Sequence, residues 1–119
     1  MKKFTVSQLL LWIFFMSNIA NAASDIIEVD LFIKDHKFEP KILELPAGKK
    51  IRITIYNQDA TIEEFESIDL KREKIVLGKS KTRVILAPLK PGKYEFFGEF
   101  HAETAQGTII IKEELEESV

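Results

Sequence analysis

Two short acidic segments carry the residue types that most often bind metal ions. Residues 63–66 read Glu-Glu-Phe-Glu, and residues 99–103 read Glu-Phe-His-Ala-Glu. Carboxylates this close together repel one another unless a cation or a proton lies between them. Carboxylate and imidazole groups together are suitable ligands for iron, manganese, zinc or Cu(II), whereas Cu(I) prefers sulfur. The two segments are therefore a candidate metal site, with a solvated acidic surface as the alternative.

Which of these side chains face the same way depends on the conformation of the two segments. On a β-strand, side chains two residues apart share a face, so Glu64 pairs with Glu66. By the same rule Glu99 pairs with His101. The candidate ligands are therefore His101, Glu64, Glu66, Glu63 and Glu99. If Glu63 points inward beside Phe65, Glu64 and Glu66 face the other side. A shift of one residue along the strand, or a bulge, turns that pair inward instead.

The composition argues against several other kinds of chemistry. The chain has no cysteine, so it has neither a disulfide nor a thiolate. It contains no phosphate-binding glycine-rich loop, no nucleophile elbow and no His-Glu-x-x-His motif. Its 17 basic residues against 19 acidic ones argue against a nucleic-acid partner. We assign no enzymatic activity from these features. His36, set among charged residues, is expected to be solvated.

The first 22 residues have the anatomy of a secretory signal peptide. Two lysines precede an apolar run at residues 9–16, and small and polar residues follow at 20–23. A basic start, a short apolar stretch and an Ala-x-Ala site are typical of leaders that are cleaved on export. The apolar run is too short for a stable membrane span. We predict cleavage after Ala22, one domain at residues 23–119, a periplasmic location and no membrane span in the processed chain.

The rest of the chain alternates apolar and polar residues in short runs, which is typical of half-buried strands. Ile51, Ile53 and Ile55, for example, alternate with polar residues. Turn-forming pairs such as Pro91-Gly92 and Gln106-Gly107 punctuate these runs. The pattern predicts an all-β, Greek-key β-sandwich of seven or eight strands.

Several short motifs, taken in order, resemble those of cupredoxins across nearly the whole processed chain. They are Phe38-Glu39-Pro40, Asn57-x-Asp59, Leu89-x-Pro91-Gly92-x-Tyr94-x-Phe96, and Gly107 before the last strand. The resemblance implies a cupredoxin-like sandwich. It also implies that the segment after Asn57 and the loop after Tyr94 meet at one end of that sandwich, which would bring residues 63–66 close to His101. On this resemblance we expect His101 to anchor a metal site with Glu64 and Glu66 as its carboxylate ligands, and Glu63 and Glu99 are weaker candidates.

The same resemblance locates the four positions that hold copper in blue-copper cupredoxins. The two histidines fall on Glu63 and His101, the cysteine falls on Gly98, and the methionine falls near Ala105. Only His101 keeps a ligand of the expected type. A blue-copper centre requires a cysteine thiolate, and the chain has none. The expected cofactor is therefore a copper or iron ion without a blue-copper centre.

The departures from that pattern resemble the cupredoxin-like proteins that accompany bacterial high-affinity iron permeases. The shared stretches are residues 63–67, 69–74 and 97–101. This resemblance implies a periplasmic protein that binds iron or copper in iron uptake, and it leaves open a role in the oxidation of ferrous iron before transport. Its partners would be an inner-membrane iron permease and other periplasmic iron-uptake proteins. The alternative is a non-catalytic copper-binding or protein-interaction domain on the same scaffold.

Overall fold

The computed structural model describes residues 25–113, which form nine β-strands and one 3-10 turn. The strands are β1 (Ile26–Lys34), β2 (Lys37–Glu39), β3 (Ile42–Pro46), β4 (Lys50–Asn57), β5 (Glu63–Ser67), β6 (Arg72–Val76), β7 (Lys81–Leu86), β8 (Gly92–Gly98) and β9 (Gln106–Lys112). The 3-10 turn, Glu99–His101, follows β8. The predicted leader lies outside the described residues.

The strands form two sheets, with the orders β2-β1-β4-β7 and β3-β9-β8-β5-β6. β1 runs parallel to β4 and β3 parallel to β9, and the other pairs are antiparallel. This arrangement confirms the predicted all-β sandwich. The nine observed strands exceed the seven or eight predicted. The three-residue β2 and the highly charged β6 are the strands that lack a clear apolar alternation.

Alternating burial builds the core between the sheets. In β4, Ile51, Ile53 and Ile55 are fully buried, and the residues between them are partly exposed. β-branched side chains pack well on such a pleated surface. Three phenylalanines from different strands fill the centre of the core. The ring centroids of Phe38 and Phe96 lie 5.0 Å apart, and those of Phe65 and Phe96 lie 5.2 Å apart.

β5 and β8 are paired over only two positions, Phe65 with Gly98 and Glu66 with Phe97. Beyond that point β8 gives way to the 3-10 turn, and the start of β5 faces this turn at one end of the sandwich. β6 is the last strand of its sheet, and four of its five residues are exposed. Between residues 25 and 113, no helix is long and apolar enough to cross a membrane.

Candidate functional site

β5 places Glu63 inside the sandwich and its two neighbouring carboxylates outside. Phe65 is fully buried, and the two-residue period of a strand puts Glu63 on the same buried face. Glu64 and Glu66 are partly exposed on the opposite face. The expected placement of Glu64 and Glu66 beside His101 therefore does not hold, because Glu63 is the carboxylate that reaches the histidine.

The Glu63 carboxylate is 2 % exposed and is held by three hydrogen bonds. Its Oε1 accepts from the backbone N–H groups of Glu64 and Phe100, both at 2.9 Å. Its Oε2 lies 2.8 Å from Nδ1 of His101, 38 residues away in sequence. A carboxylate can only accept, so Nδ1 is the donor. The side chain of His101 is 27 % exposed, so only part of its ring reaches the surface.

The loop after β8 brings His101 to this position. The N–H of Gly98 donates to the carbonyl of Ala105 at 2.8 Å, and the N–H of Ala105 donates to the carbonyl of His101 at 2.8 Å. The strand therefore ends at Gly98. The sequence predicted that Glu99 and His101 share a strand face. They do not, because both lie beyond the end of the strand. Glu99 is exposed, whereas His101 turns towards Glu63.

Gly98 makes room for the Glu63 side chain. A Cβ atom at this position would lie 2.6 Å from Cδ of Glu63 and 2.9 Å from Cβ of Ala105, which is closer than such atoms approach. Ala105 is itself fully buried. The four positions that the resemblance aligned with copper ligands therefore do come together: His101 binds the Glu63 carboxylate, and Gly98 lies between Glu63 and Ala105.

His36 is a further member of this end of the sandwich, and it is half-buried rather than solvated as the sequence predicted. Its ring stacks on that of His101, with a centroid separation of 3.6 Å and an interplanar angle of 12°. Asp35 and His36 form the two-residue turn between β1 and β2, with φ angles of 55° and 61°. Asp and His are among the residues that tolerate this left-handed region. An Asp-His pair between two strand patterns is the signal that could have identified the turn.

Asp59 holds that turn in place. Its Oδ1 accepts from the N–H of Asp35 at 2.8 Å, and its Oδ2 accepts from the N–H of His36 at 2.9 Å. Burial raises the pKa of the Asp59 carboxyl, but these two bonds and the nearby charges of His36 and Lys79 outweigh burial. The net result is a pKa below the ordinary value of 3.8. The hydroxyl of Thr104 donates to the carbonyl of His36 at 2.6 Å and ties the turn to the loop after β8.

A second group of carboxylates, which we call the carboxylate face, consists of Glu64, Glu66, Glu73 and Glu99. One ligand oxygen from each of Glu64, Glu66 and Glu73 lies within 4.8 Å of the other two. Partial burial raises the pKa of Glu64, and a hydrogen bond with Glu73 and the negative charges of Glu73, Glu66 and Glu99 raise it further. Partial burial and the charges of Glu73 and Glu99 raise the pKa of Glu66.

Glu73 was not among the predicted ligands. It lies directly opposite Glu66 in the antiparallel pair of β5 and β6. The signal for it was available, because a short turn between two strands places residues near its two ends opposite one another. Its omission followed from the lack of apolar alternation in β6.

The fold and the ligand positions together identify the class of this protein. The chain belongs to the cupredoxin-like domain family, whose family model matches residues 7–111. It is 57 % identical over 100 residues to the uncharacterized protein RP394 of Rickettsia prowazekii (strain Madrid E), an alignment that covers 83 % of this chain and 80 % of that protein.

Solved structures share the fold at low sequence identity. The metal-binding domain of the Cu(I)-exporting P-type ATPase CopA of Streptococcus pneumoniae D39 matches with a TM-score of 0.68 and 14 % identity, over 76 % of this chain and 89 % of that one. Auracyanin A, a blue copper protein of Chloroflexus aurantiacus, matches with a TM-score of 0.63 and 12 % identity, over 73 % of this chain and 99 % of that one. At these identities the likeness establishes the fold alone.

The family's copper position does not fit a resident copper ion in this chain. Gly98 and Ala105 offer no ligand atom, so Glu63 and His101 are the two donors left among the four positions. Two ligand atoms on one tetrahedral metal lie about 3.3 Å apart when each bond is about 2.0–2.1 Å. The separation of 2.8 Å between Glu63 Oε2 and His101 Nδ1 is that of a direct hydrogen bond.

Proposed function

We propose that this domain binds iron as a cargo cation in a periplasmic iron-uptake system, and that the carboxylate face is the binding site. The observation that carries the proposal is the approach of ligand oxygens from Glu64, Glu66 and Glu73 to within 4.8 Å of one another. Carboxylate oxygens suit hard cations, and Fe(III) is harder than Fe(II). Like charges placed opposite each other, as in the Glu66–Glu73 pair, destabilise a sheet unless something neutralises them.

The cellular setting of the proposal comes from the sequence. The leader-like residues 1–22 support export to the periplasm. The resemblance of residues 63–67 and 97–101 to proteins that accompany iron permeases supports an inner-membrane permease as the partner. Ligands that favour Fe(III) over Fe(II) would also favour oxidation of the bound ion. That oxidation would require an electron acceptor, such as oxygen or a separate copper ion.

Calorimetric titration tests the proposed site. Fe(II) under anaerobic conditions, Mn(II) and Cu(II) would each be titrated into the purified protein and into two variants. Glu66→Gln should weaken Fe(II) binding by more than about tenfold, because loss of even an outer-sphere partner of a metal commonly costs 10–100-fold. Glu103→Gln, an exposed carboxylate outside the face, is the matched control and should bind like the parent. Equal affinities of the parent and Glu66→Gln would show that the face is an ordinary solvated surface.

A second candidate function is non-catalytic Cu(II) binding by His36 and His101. The observation that favours it is the placement of His36 and His101 side by side at one end of the sandwich, since Cu(II) accepts imidazole ligands. The same titrations separate the two candidates. Loss of Cu(II) binding in His101→Ala together with unchanged metal binding in Glu66→Gln would support this function over iron binding at the carboxylate face.

A further inference from the structure

We infer that the Glu63 carboxylate takes the place of the metal in this cupredoxin fold. It acts as an internal ligand that joins the start of β5 to the turn after β8. The four positions aligned with copper ligands converge here on a carboxyl group. Glu63 supplies that group, Gly98 and Ala105 leave space for it, and His101 binds it.

The hydrogen bonds of Glu63 explain why the carboxylate can be buried there without a metal. A buried carboxylate is costly unless it is paired and hydrogen-bonded. Here both oxygens are used: Oε1 accepts two backbone N–H groups, and Oε2 accepts the His101 ring. Within residues 25–113, no buried side-chain nitrogen or oxygen lacks a hydrogen-bond partner. A cation entering this position would break at least the bond to His101 and gain at most two protein ligands from the four positions.

The same contacts perform the mechanical task that a metal performs in such a fold. A metal ion with ligands from two distant segments holds those segments together. Glu63 does so through Phe100 and His101, which are 37 and 38 residues away in sequence. It also fixes the orientation of the histidine ring, because Nδ1 is engaged by the carboxylate. This end of the sandwich is therefore ordered by the protein's own charges.

This inference concerns a different set of atoms from the proposed iron site, so the two can fail separately. Its first test uses the full chain in the presence of EDTA, with amide hydrogen exchange as the readout. In Glu63→Ala the protection of the Phe100 amide should fall by about tenfold to a hundredfold, because the free energy of one hydrogen bond to a charged group corresponds to a change of that size in the opening equilibrium. Glu103→Ala, which removes an exposed carboxylate outside the carboxylate face, is the matched control and should leave that protection unchanged.

Glu63→Gln keeps the shape of the side chain and serves if Glu63→Ala does not fold. It should retain a hydrogen bond from the Phe100 amide and lose the charge-assisted bond to His101. The expected result is a smaller loss of protection than in Glu63→Ala. Unchanged or increased protection of the Phe100 amide in Glu63→Gln, with EDTA present, would overturn the inference. The carboxylate would then behave as a metal ligand awaiting its ion.

The second test asks directly whether a metal enters the position. Zn(II) accepts carboxylate and imidazole ligands and is diamagnetic, so the nitrogen signals of His101 can be followed by NMR during a titration. Nδ1 of His101 should stay protonated and hydrogen-bonded at saturating Zn(II), whether or not Zn(II) binds at the carboxylate face. A shift of Nδ1 to a metal-bound signal, with loss of Phe100 amide protection, would show that the carboxylate releases His101 to the metal and would refute the inference.

Discussion

Glu63 and Asp59 are two acidic residues whose side chains act on backbone N–H groups at the same end of the sandwich. Glu63 accepts hydrogen bonds from the N–H groups of Glu64 and Phe100. Asp59 accepts hydrogen bonds from the N–H groups of both residues of the turn that carries His36. Neither role can be recognised from residue type alone, because an acidic residue in a polar segment is usually a solvated one. The inward orientation of Glu63 could be predicted, since Phe65, two residues further along the strand, is apolar and takes the core face. The contact of His36 with His101 could not, because it depends on a turn distant in sequence.

Replacing Asp59 by Ala should destabilise the domain by about 1–3 kcal/mol at pH 7, the value of lost hydrogen bonds to a charged acceptor. A carboxyl whose pKa is lowered by folding contributes stability above its unfolded pKa and loses that contribution as the pH falls through the folded pKa. The difference between parent and variant should therefore shrink as the pH falls below 3.8 and Asp59 is protonated. Urea unfolding at a series of pH values measures this difference.

Gln58→Ala is the matched control for that experiment, because Gln58 is the exposed neighbour and its side chain has no part in holding the turn. Its unfolding free energy should stay within about 0.5 kcal/mol of the parent value. Equal losses in the Asp59 and Gln58 variants would contradict the assigned role of the Asp59 carboxylate.

At the scale of elements, the β5–β6 hairpin separates the predicted site into two groups. The strand period sends Glu63 to the core and Glu64 and Glu66 to the outer face, where β6 adds Glu73. Sequence patterns predicted the amphipathic strands well, because half-buried strands alternate. β6 lacks that signal because it lies at a sheet edge and is mostly exposed, so burial imposes little pattern on it.

Replacing Glu73 by Gln should raise the thermal unfolding midpoint at pH 7 in buffer freed of multivalent metal ions. Folding raises the pKa values of Glu64 and Glu66, so their folded forms gain stability below the ordinary value of 4.5 and lose it as the pH rises through the folded pKa values. At pH 7 the charges repel one another, and removing Glu73 relieves part of that repulsion. The gain should shrink as the pH falls towards 4.5 and below, because Glu64 and Glu66 are then protonated.

Glu103→Gln removes the same charge from a position outside the carboxylate face and is the control for the pH series. It should change the midpoint by less than Glu73→Gln at pH 7 and show no comparable dependence on pH. A midpoint for Glu73→Gln that is equal to or lower than that of the parent at pH 7 would show that repulsion on the face is not significant.

At the scale of the whole molecule, the sandwich is determined by contacts that are distant in sequence. The two parallel pairs, β1 with β4 and β3 with β9, place segments far apart in the chain side by side. Alternation in the sequence predicts that such strands exist, but it carries no information on which strand lies beside which. The ordered motifs shared with cupredoxins indicated the kind of sandwich and the end at which two distant segments meet, but not the pairing of its strands. They could not supply the contents of the metal position, because the residues there depart from the shared pattern.

β6 also bears on how copies of this protein behave towards one another in concentrated solution. An edge strand exposes unpaired backbone groups, and an inward-pointing charge is one feature that prevents two such edges from joining. Lys74 lies opposite the buried Phe65, on the same sheet face, yet it is exposed. Lys74→Val should therefore promote concentration-dependent self-association in sedimentation experiments beyond that of the parent, whereas Lys90→Val, in an exposed loop, should sediment like the parent. A monomeric Lys74→Val protein at every concentration would mean that the remaining charges of β6 suffice to keep its edge unpaired.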